Sequence, residues 1–345
     1  MLDNKNGFRT IVLALSTLKE TFNPVVIIIY ANYFILGKVM ITGPVALIGL
    51  GVIGTPIAHK LNNAYHDNFM IVARGQRREK LESQHITING EPFVPRILSD
   101  KSELVEPLSL LIVCVKNYNL NSSLEDIKAV ISKETIILPL QNGIYSYDFF
   151  CKKFPSNIIL QGYMQGPNTE KNGEVLSYTN PGAMHMGDQA NSVLDTAAKV
   201  YAYLGLAGVD VHLEQDIKKM VWKKMMLNVA GNSVTALTDA NYSDFKKIPA
   251  LQALCRNAMN EFVTVAHAEG IMLTNQDIED VINYYVTYHG EKMTSMLEDV
   301  RHKRKTENDY LAGNISKLAL KHNISVPIID TLYSLISIKE KLYQS

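Results

Sequence analysis

A glycine-rich turn between an apolar run and a helix-forming segment constrains the fold of this chain more than any other feature. Val45 to Ile48 has the pattern of a buried strand, the sequence GLGVIG follows it directly, and Pro56 to Leu61 can open a helix. The first glycine permits a tight turn, the second lets the backbone approach a pyrophosphate, and the third lets helix and strand pack closely. This placement predicts a dinucleotide site, whereas turn glycines without a ligand are the alternative interpretation.

Further apolar runs alternate with helix-compatible segments. They are Asn68 to Ala73, Leu108 to Val115 and Thr135 to Leu140. Such alternation predicts a parallel sheet wrapped by helices, and the composition of Gly162 to Gly187 predicts antiparallel strands and turns at the end of the same domain. We therefore expect an α/β protein whose N-terminal domain is Rossmann-like and binds a dinucleotide.

The character of the sequence changes after about Val211, where strand signals become rare. Helical spacing is found in Asp216 to Leu237, Pro249 to Glu269, Gln276 to Val300 and Glu307 to His322. We predict an N-terminal extension over residues 1–43, a dinucleotide-binding domain over 44–210 and an all-helical C-terminal domain that holds the substrate and catalytic groups over 211–345. A cleft between two domains is a common place for a small-molecule site.

The N-terminal extension contains the most apolar stretch of the chain, Pro24 to Ile41. A membrane span needs ~20 apolar residues with few polar interruptions, whereas Asn32 and Lys38 interrupt this stretch. A membrane span, a secretory signal, an additional strand or helix, and a start codon placed too early are the alternatives. We favour the last two, and Met40 would be the alternative start.

Charge and composition exclude several classes of protein. The 34 Lys and Arg residues balance 34 Asp and Glu residues, which argues against a general polyanion binder. The cysteines Cys114, Cys151 and Cys255 lie too far apart for a zinc or redox pair and suit a reducing compartment. No metal-ligand spacing of histidines and no G-x-S-x-G motif is present. We expect a cytoplasmic protein that binds a small molecule, no nucleic acid and no metal, and we consider a homodimer.

Polar side chains stand at the carboxyl ends of three predicted strands. Arg74 lies twenty residues after Gly54, where an NAD-selective protein usually has an acidic residue, and a guanidinium there suits a 2′-phosphate. Lys116 and Asn142 end the next two strands. Because these strand ends face the ligand crevice, we expect the cofactor to be NADPH and to contact all three residues. A solvated strand end and an ordinary Asn-Gly turn are the alternatives for Lys116 and Asn142.

A polar stripe follows one face of a predicted helix in the second domain. Lys224, Asn228 and Asn232 are spaced by four residues, and most of their neighbours in VWKKMMLNVAGNSVTAL are apolar. A lysine among apolar neighbours should be partly desolvated, which would lower its pKa toward the range useful for a general acid. An exposed polar face is the alternative interpretation.

Two further candidates lie closer to the C-terminus. Ser295 stands near the end of the predicted helix Gln276 to Val300, and Glu307 follows a basic run. Thr306 and Asp309 can form a capping box that starts the next helix. Glu307 would then lie in the first turn, where the helix dipole favours a carboxylate.

Taken in order, these motifs resemble those of the ketopantoate reductase family. They are Gly49-x-Gly51-x-x-Gly54, VAR at Val72 to Arg74, CVKNYNL with Lys116, LPLQNG with Asn142, WKKMMLNVAGNSVTAL with Lys224, and SMLEDVRHKRKTENDY with Ser295 and Glu307. The resemblance extends from about Pro44 to Pro327. It implies an NADPH-dependent 2-dehydropantoate 2-reductase, an oxidoreductase that reduces ketopantoate to pantoate on the way to pantothenate and coenzyme A.

The resemblance also implies a role for each matching position. Lys224 would donate a proton to the carbonyl oxygen as the hydride arrives, and Glu307 would help to position the active-site groups. Asn228, Asn232 and Ser295 would hold the substrate, together with Asn142. The cofactor would contact the remaining positions, which are Gly49, Leu50, Gly51, Val52, Ile53 and Gly54 at the pyrophosphate, Arg74 at the 2′-phosphate, and Lys116 and Asn142 beside the nicotinamide ribose.

The chain departs from the family pattern in three places, one of which is that a frequent substrate-side asparagine after the lysine helix falls around Asn241-Tyr242 without clean alignment. Residues 1 to about 40 are additional, and Leu311-Ala312-Gly313 replaces a frequent Ile-Asn-Gly. A reductase of a different 2-oxo acid therefore stays open beside ketopantoate reductase. A non-catalytic NADPH-binding or sensor protein and a membrane-anchored enzyme are two further alternatives.

Overall fold

A computed structural model describes residues 41–189, 193–288 and 293–343. The predicted extension, apart from its last residues, lies outside these ranges. The strands are β1 (Val45–Ile48), β2 (Phe69–Val72), β3 (Thr87–Ile88), β4 (Glu91–Pro92), β5 (Arg96–Leu98), β6 (Leu110–Val113), β7 (Ile136–Pro139), β8 (Gln161–Gln165), β9 (Asn168–Asn172), β10 (Val175–Asn180), β11 (Ala183–Gly187) and β12 (Val211–Leu213).

Five of the strands form a parallel sheet in the order β5-β2-β1-β6-β7. Every residue of β1 is buried, and its side chains alternate between two apolar clusters, Val45 and Leu47 on one face and Ala46 and Ile48 on the other. Burial on both faces explains why this strand is a continuous apolar run. The predicted Rossmann-like α/β class is confirmed.

The edge strand β5 is absent from the sequence prediction. It has only three residues, and its first residue, Arg96, is exposed, so its sequence lacks the apolar run that marks the central strands. Two small sheets, β4-β3-β10-β9 and β12-β11-β8, complete this region and contain the antiparallel pairs expected after Gly162. Strand β12 lies just beyond residue 210 yet pairs with β11, so the chain leaves the sheets slightly later than the expected boundary.

The described helices cover both faces of the parallel sheet and then form the second half of the molecule. They are α1 (Gly54–Tyr65), α2 (Gln76–Ser83), α3 (Leu124–Val130), α4 (Tyr145–Lys153), α5 (Leu194–Leu206), α6 (Ile217–Leu227), α7 (Ser233–Thr238), α8 (Tyr242–Lys247), α9 (Pro249–Ala268), α10 (Asn275–Thr287), α11 (Ser295–Arg301), α12 (Ala312–Lys321) and α13 (Pro327–Leu342). Helix α9 lies in the core of the second half, where Cys255, Met259 and Phe262 are fully buried.

Two details of the predicted helices are wrong. The segment expected as one helix from Gln276 to Val300 forms α10 and α11, because Thr294 accepts a hydrogen bond from the backbone of Leu297 and starts a new helix. Ser295 is therefore the first residue of a helix, not close to the end of one.

The expected capping box of Thr306 and Asp309 does not form. The backbone N–H of Thr306 donates to Glu340, at 2.7 Å, and Asp309 accepts from the hydroxyl of Tyr333. Glu307 precedes the short 3₁₀ helix Asn308–Tyr310 instead of lying in its first turn.

None of the described helices is both long enough and apolar enough to cross a membrane. Within the same residues, no cluster of His, Cys, Asp and Glu has the arrangement of a metal site. The three cysteines are free thiols, and burial raises the pKa of Cys255 to about 12.

Candidate active site

The three glycines of the loop after β1 have different surroundings. Gly49 has a φ of +106°, and a Cβ there would lie 2.7 Å from the backbone nitrogen of Val115. A Cβ on Gly54 would collide with the carbonyl oxygen of Gly49. A Cβ on Gly51 would meet no protein atom within 4 Å. The outer glycines therefore let the loop, β6 and α1 pack together, and Gly51 leaves open space beside the backbone.

The open side of the loop faces a cavity of about 770 Å³ between the parallel sheet and the helical half. Leu50, Gly51, Val52 and Ile53 line it, whereas Gly49 and Gly54 do not. A hairpin formed by β9 and β10 lies over the loop, since the hydroxyl of Thr169 donates to the carbonyl oxygen of Val52 at 2.8 Å. The cavity therefore has the glycine-rich loop at one end.

Two buried polar atoms at this end suit a bound dinucleotide. The hydroxyl of Thr55, in the first turn of α1, and Oε1 of Gln141 have no hydrogen-bond partner within the described residues, and both side chains line the cavity. A helix N-terminus offers N–H groups to a phosphate. The open backbone at Gly51, the helix N-terminus and the hydroxyl of Thr55 suit a pyrophosphate, whereas Oε1 of Gln141 can only accept and suits a donor group of the ligand.

A charged cluster joins the sheet to the helical half. Nζ of Lys116, just beyond β6, lies 3.3 Å from Oδ2 of Asp299 and 3.4 Å from Oε2 of Glu307. Both carboxylates are buried, with Asp299 also accepting from Arg304 at 2.8 Å. Burial alone would lower the pKa of Lys116, but Glu307 and Asp299 outweigh it and raise that pKa well above its ordinary value. Lys116 is therefore held as a cation.

Glu307 is held by amides as well as by Lys116. The backbone and side-chain nitrogens of Asn117 donate to its Oε1 at 3.3 and 3.0 Å, and Nδ2 of Asn142 donates to its Oε2 at 3.0 Å. The side chain of Asn117 also donates to the carbonyl oxygen of Asn142 at 2.8 Å. Both carboxylate oxygens of Glu307 are thus engaged by groups from the ends of the parallel strands.

A row of amides continues from this cluster into the helical half. We call Asn142, Asn228 and Asn232 the asparagine row. Nδ2 of Asn228 donates to Oδ1 of Asn142 at 3.4 Å, and Nδ2 of Asn232 donates to Oδ1 of Asn228 at 3.3 Å. The same Nδ2 of Asn232 lies 3.5 Å from Oγ of Ser295. These long hydrogen bonds connect polar groups that all line the cavity.

Two members of the asparagine row, Asn228 and Asn232, lie on a π-helical turn, Asn228–Asn232, which follows α6 directly. Tyr285 of α10 is fully buried, and its hydroxyl donates to the carbonyl oxygen of Leu227 at 2.5 Å. A Cβ on Gly231 would collide with that hydroxyl. The wide turn and the missing side chain therefore let α10 dock against the segment that carries the amides, and such π-turns are frequent at functional sites.

The two lysines in the last turns of α6 have different environments. Lys223 is engaged by Asp277 at 3.1 Å and by Asp280 at 2.6 Å. Lys224 is partly buried and lines the cavity together with Asn228 and Asn232. The polar stripe predicted from the sequence therefore faces the cavity.

Arg74 lies outside the cavity lining, at the carboxyl end of β2. Its guanidinium is exposed, donates to the carbonyl oxygen of Glu125 at 3.2 Å and lies 4.0 Å from Asp126. Arg77 approaches the same carboxylate at 3.9 Å. Two guanidinium groups thus share the carboxylate of Asp126.

Four residues at the site were missed by the sequence analysis. Asn117 donates to Glu307, Asp299 pairs with Lys116, and Thr55 and Gln141 present the orphaned polar atoms. Asn117 follows Lys116 directly, and Asp299 lies four residues after Ser295 on the same helix, so both had a positional signal. Thr55 and Gln141 differ from ordinary polar residues only in their tertiary surroundings.

The parallel sheet, the glycine-rich loop and the polar cavity beside it are the features of a Rossmann-like dinucleotide-binding fold. Residues 45–191 match the family described as ketopantoate reductase PanE/ApbA, and residues 216–340 match its C-terminal region. This chain belongs to the ketopantoate reductase family, as its motifs predicted.

Relatives of this chain include the 2-dehydropantoate 2-reductase of Yersinia pestis, which is 26% identical over 263 residues, or 75% of this chain and 83% of that protein. A dimeric ketopantoate reductase from Staphylococcus aureus is 23% identical, with a TM-score of 0.72 over 87% of this chain and 99% of the other. A D-mandelate dehydrogenase in complex with NADH and anilino(oxo)acetate is 24% identical, with a TM-score of 0.77 over 88% of this chain and 100% of the other. The likeness to these two structures concerns the fold.

Proposed function

We propose that this chain catalyses the NADPH-dependent reduction of a 2-oxo acid to a 2-hydroxy acid, and that ketopantoate, reduced to pantoate, is the first substrate to test. The observation that carries the proposal is one cavity that contains both the open backbone at Gly51 and the side chains of Lys224, Asn228 and Glu307. A dinucleotide at the loop and a small acid at the asparagine row would meet in that cavity.

The glycine-rich loop and the first turn of α1 would hold the pyrophosphate, and Lys116 and Asn142 would lie beside the nicotinamide ribose. NADPH, when bound, supplies the hydride that is added to C2 of the substrate. The orphaned oxygens of Thr55 and Gln141 are suitable acceptors and donors for such a ligand.

Lys224 would donate the proton to the substrate oxygen and stabilise the negative charge that develops there. A second lysine beside the asparagine row is Lys116. Because Glu307 and Asp299 raise its pKa, Lys116 is a poor proton donor near neutral pH. The geometry therefore favours Lys224 as general acid and assigns Lys116 a role in charge balance.

The asparagine row and Ser295 would orient the substrate. Each amide has both a donor and an acceptor, and the present hydrogen bonds of 3.3–3.5 Å are long enough to be replaced by bonds to a carboxylate or a hydroxyl. Glu307 would fix Asn142 and Lys116 at the boundary between cofactor and substrate. A carboxylate that is engaged on both oxygens is suited to positioning these groups.

Selectivity for NADPH would rest on Arg74, with Arg77 beside it. Both guanidinium groups contact Asp126 only loosely, at 3.9–4.0 Å, so a 2′-phosphate with its greater charge could replace that contact. NADH has a neutral ribose diol in place of the 2′-phosphate, so the two guanidinium groups would contribute little to its binding.

A different 2-oxo acid is the second candidate substrate. The Yersinia pestis enzyme shares only 26% identity with this chain, and Leu311-Ala312 replaces the family's frequent Ile-Asn next to Tyr310. The D-mandelate dehydrogenase has the same fold. Membership of the family therefore supports a 2-oxo acid as the class of substrate, but it does not select one particular acid.

Steady-state oxidation of NADPH by the purified chain, with ketopantoate, pyruvate and other 2-oxo acids, tests the proposal. We expect turnover of at least one 2-oxo acid, with kcat/KM for NADPH well above that for NADH. Binding of NADPH without turnover of any 2-oxo acid would instead favour a sensor protein and would contradict the proposal.

The homodimer and the cytoplasmic location expected from the sequence remain predictions. The Staphylococcus aureus structure is described as dimeric. Light scattering of the purified chain would measure its oligomeric state directly.

A further inference from the structure

The hairpin of β9 and β10, which lies over the glycine-rich loop, has one face directed at that loop. In this antiparallel pair, Thr169 lies opposite Tyr178, and Lys171 lies opposite Leu176. Residues that lie opposite each other share a face of a sheet, and so do residues two apart in one strand. These four residues therefore form one surface, which we call the covering face.

Three of the four residues show where the covering face points. The hydroxyl of Thr169 donates to the carbonyl oxygen of Val52 in the loop at 2.8 Å. The hydroxyl of Tyr178 lies 2.9 Å from Nδ1 of His59 in α1. Leu176 is 3% exposed and belongs to the apolar cluster that β1 and α1 share. The covering face is therefore directed toward the glycine-rich loop and α1.

Lys171 is the fourth residue of the covering face, and it lines the cavity. It follows Thr169 by two residues, or ~7 Å along the strand, and its flexible four-carbon stem can span a gap of this size. Its ammonium group has neither an ion pair nor a hydrogen bond to any residue that the structure describes, whereas carboxylates engage Lys116 and Arg304 of the same lining. Lys171 is therefore available to an anionic group of a ligand.

The glycine-rich loop itself offers no charged side chain to a phosphate. A pyrophosphate is negatively charged at both phosphates, whereas the N-terminus of a helix contributes the equivalent of only about half a positive charge. The residues of the loop and the first turn of α1 that line the cavity are all uncharged, namely Leu50, Gly51, Val52, Ile53 and Thr55. A lysine ammonium, a compact cation with three donors, would supply the missing charge from the covering face.

We propose that Lys171 is a cofactor-binding residue that contacts the pyrophosphate of NADPH, and that Thr169 positions it by connecting the hairpin to the glycine-rich loop. This inference rests on the proposed function, which places a dinucleotide at the loop. Because NADPH and NADH both contain the pyrophosphate, the contact would strengthen the binding of both and leave the choice between them to Arg74. Lys171 would contribute to cofactor binding and not to the transfer of hydride or proton.

Fluorescence titration of the purified full-length chain with NADPH and with NADH tests this inference. Lys171→Met removes the charge and keeps most of the stem, so it should raise the Kd of both cofactors by the same factor, at least ~5-fold. Lys171→Arg keeps the charge and should stay within ~2-fold of wild type. An unchanged Kd in Lys171→Met would overturn the inference. A loss confined to NADPH would place Lys171 at the 2′-phosphate and would overturn it as well.

Glu170→Gln is the matched control for a long-range effect of charge. Glu170 also borders the cavity, but it lies opposite Ser177 on the other face of the hairpin and is exposed. We expect this variant to change the Kd of NADPH by less than ~2-fold, because exposed charges without a direct contact are screened. If Glu170→Gln strengthens binding as much as Lys171→Met weakens it, a general field of the hairpin replaces the contact and the inference is wrong.

A double-mutant cycle tests the positioning role of Thr169. Thr169→Val keeps the shape of the side chain and removes the hydroxyl that donates to Val52. It should weaken NADPH binding by ~3-fold in the wild-type background and have little further effect in Lys171→Met, because the hydrogen bond acts through Lys171. Additive losses in the double variant would contradict this role.

Steady-state kinetics distinguish this inference from the proposed function. With the best 2-oxo acid, Lys171→Met should raise KM for NADPH by at least ~5-fold and leave kcat at saturating NADPH within ~2-fold of wild type. A lower kcat with an unchanged KM would contradict a role in binding. If Lys171→Met weakens NADPH binding but the wild-type chain reduces no 2-oxo acid, the inference is supported and the proposed reaction is wrong.

Discussion

The two ends of the cavity are built in different ways. The proposed cofactor end consists of backbone and of residues close together in sequence, namely the loop from Gly49 to Gly54 and the first turn of α1. The proposed substrate end consists of side chains brought together from distant segments, such as Asn142, Asn228 and Ser295. A backbone site is encoded by a short motif, whereas a side-chain site depends on how whole helices dock.

The comparison also separates the effects of mutation. At the cofactor end, a new Cβ either disrupts packing or blocks the ligand, depending on which glycine is replaced. At the substrate end, a truncated side chain removes one functional group and leaves the backbone in place.

Loss of the proposed general acid should have the largest effect. Lys224→Ala should lower kcat by ~10²-fold or more with little change in NADPH affinity, because general acid catalysis is typically worth this much and the cofactor contacts lie at the other end. The adjacent Lys223→Ala is the matched control, since Lys223 pairs with Asp277 and Asp280. Steady-state kinetics and NADPH titration measure both. Equal losses in the two variants would remove Lys224 from the mechanism.

Two glycine variants should separate stability from cofactor binding. Gly54→Ala should destabilise the fold by ~1–3 kcal/mol, because its Cβ collides with the carbonyl oxygen of Gly49. Gly51→Ala should keep the wild-type stability, because its Cβ meets no protein atom, and should weaken NADPH binding by ~10-fold as the methyl group enters the space of the pyrophosphate. Denaturant unfolding and fluorescence titration measure these effects. Unchanged NADPH affinity in Gly51→Ala would place the cofactor elsewhere.

The cofactor preference should depend on Arg74. Arg74→Ala should weaken NADPH binding by ~10- to 100-fold and NADH binding much less, since a charge-assisted hydrogen bond contributes ~1.5–3 kcal/mol. Arg78 is a useful control because it is bound to Glu82 and Glu103. If Arg74→Ala weakens both cofactors equally, Arg74 has only a structural role.

The docking of α10 on α6 should depend on pH through Asp277. Burial disfavours its charge, but the backbone of Thr274 and the lysines Lys223 and Lys219 outweigh this effect and lower the pKa of Asp277 to about 2. Because this pKa is lower in the folded state, the stabilisation is complete above the ordinary value of 3.8 and disappears as the pH falls toward about 2.

Asp277→Asn should therefore cost about 2 kcal/mol at neutral pH, and the difference from wild type should shrink between about pH 4 and pH 2. Asp280→Asn is the matched control, because its exposed carboxylate binds the same Lys223 and should contribute less to stability than Asp277 does. Urea unfolding at several pH values measures both. A difference for Asp277→Asn that does not depend on pH would contradict the electrostatic explanation.

The same contrast explains what could be predicted from the sequence. Strand β1, the glycine loop and helix α9 follow from local patterns and were predicted correctly, as were the cavity positions of Lys224, Asn228 and Asn232. The edge strand β5 is short and half-exposed and lacks such a pattern. The break before Ser295 was missed because helical spacing continues across it. In the structure, α10 ends at Thr287 and Thr294 caps the start of α11.

Tertiary contacts decided the remaining details of the site. Thr306 was expected to form a capping box with Asp309. Instead, the backbone N–H of Thr306 donates to the carboxylate of Glu340 in α13. Asp299 and Asn117 are polar residues of ordinary appearance in the sequence, and they become important because Lys116 and Glu307 lie within hydrogen-bond distance. Such pairings connect residues more than 180 positions apart, which no local pattern contains.

Hydride transfer within the one cavity is the central claim, and isotope transfer tests it most directly. NADPH that carries deuterium at both C4 positions of the nicotinamide, incubated with the enzyme and ketopantoate or the best 2-oxo acid of the panel, should give a 2-hydroxy acid with deuterium at C2 by mass spectrometry. Deuterium at C2 in one stereoisomer is the predicted result. A product without deuterium, or no product while NADPH binds, would contradict the account.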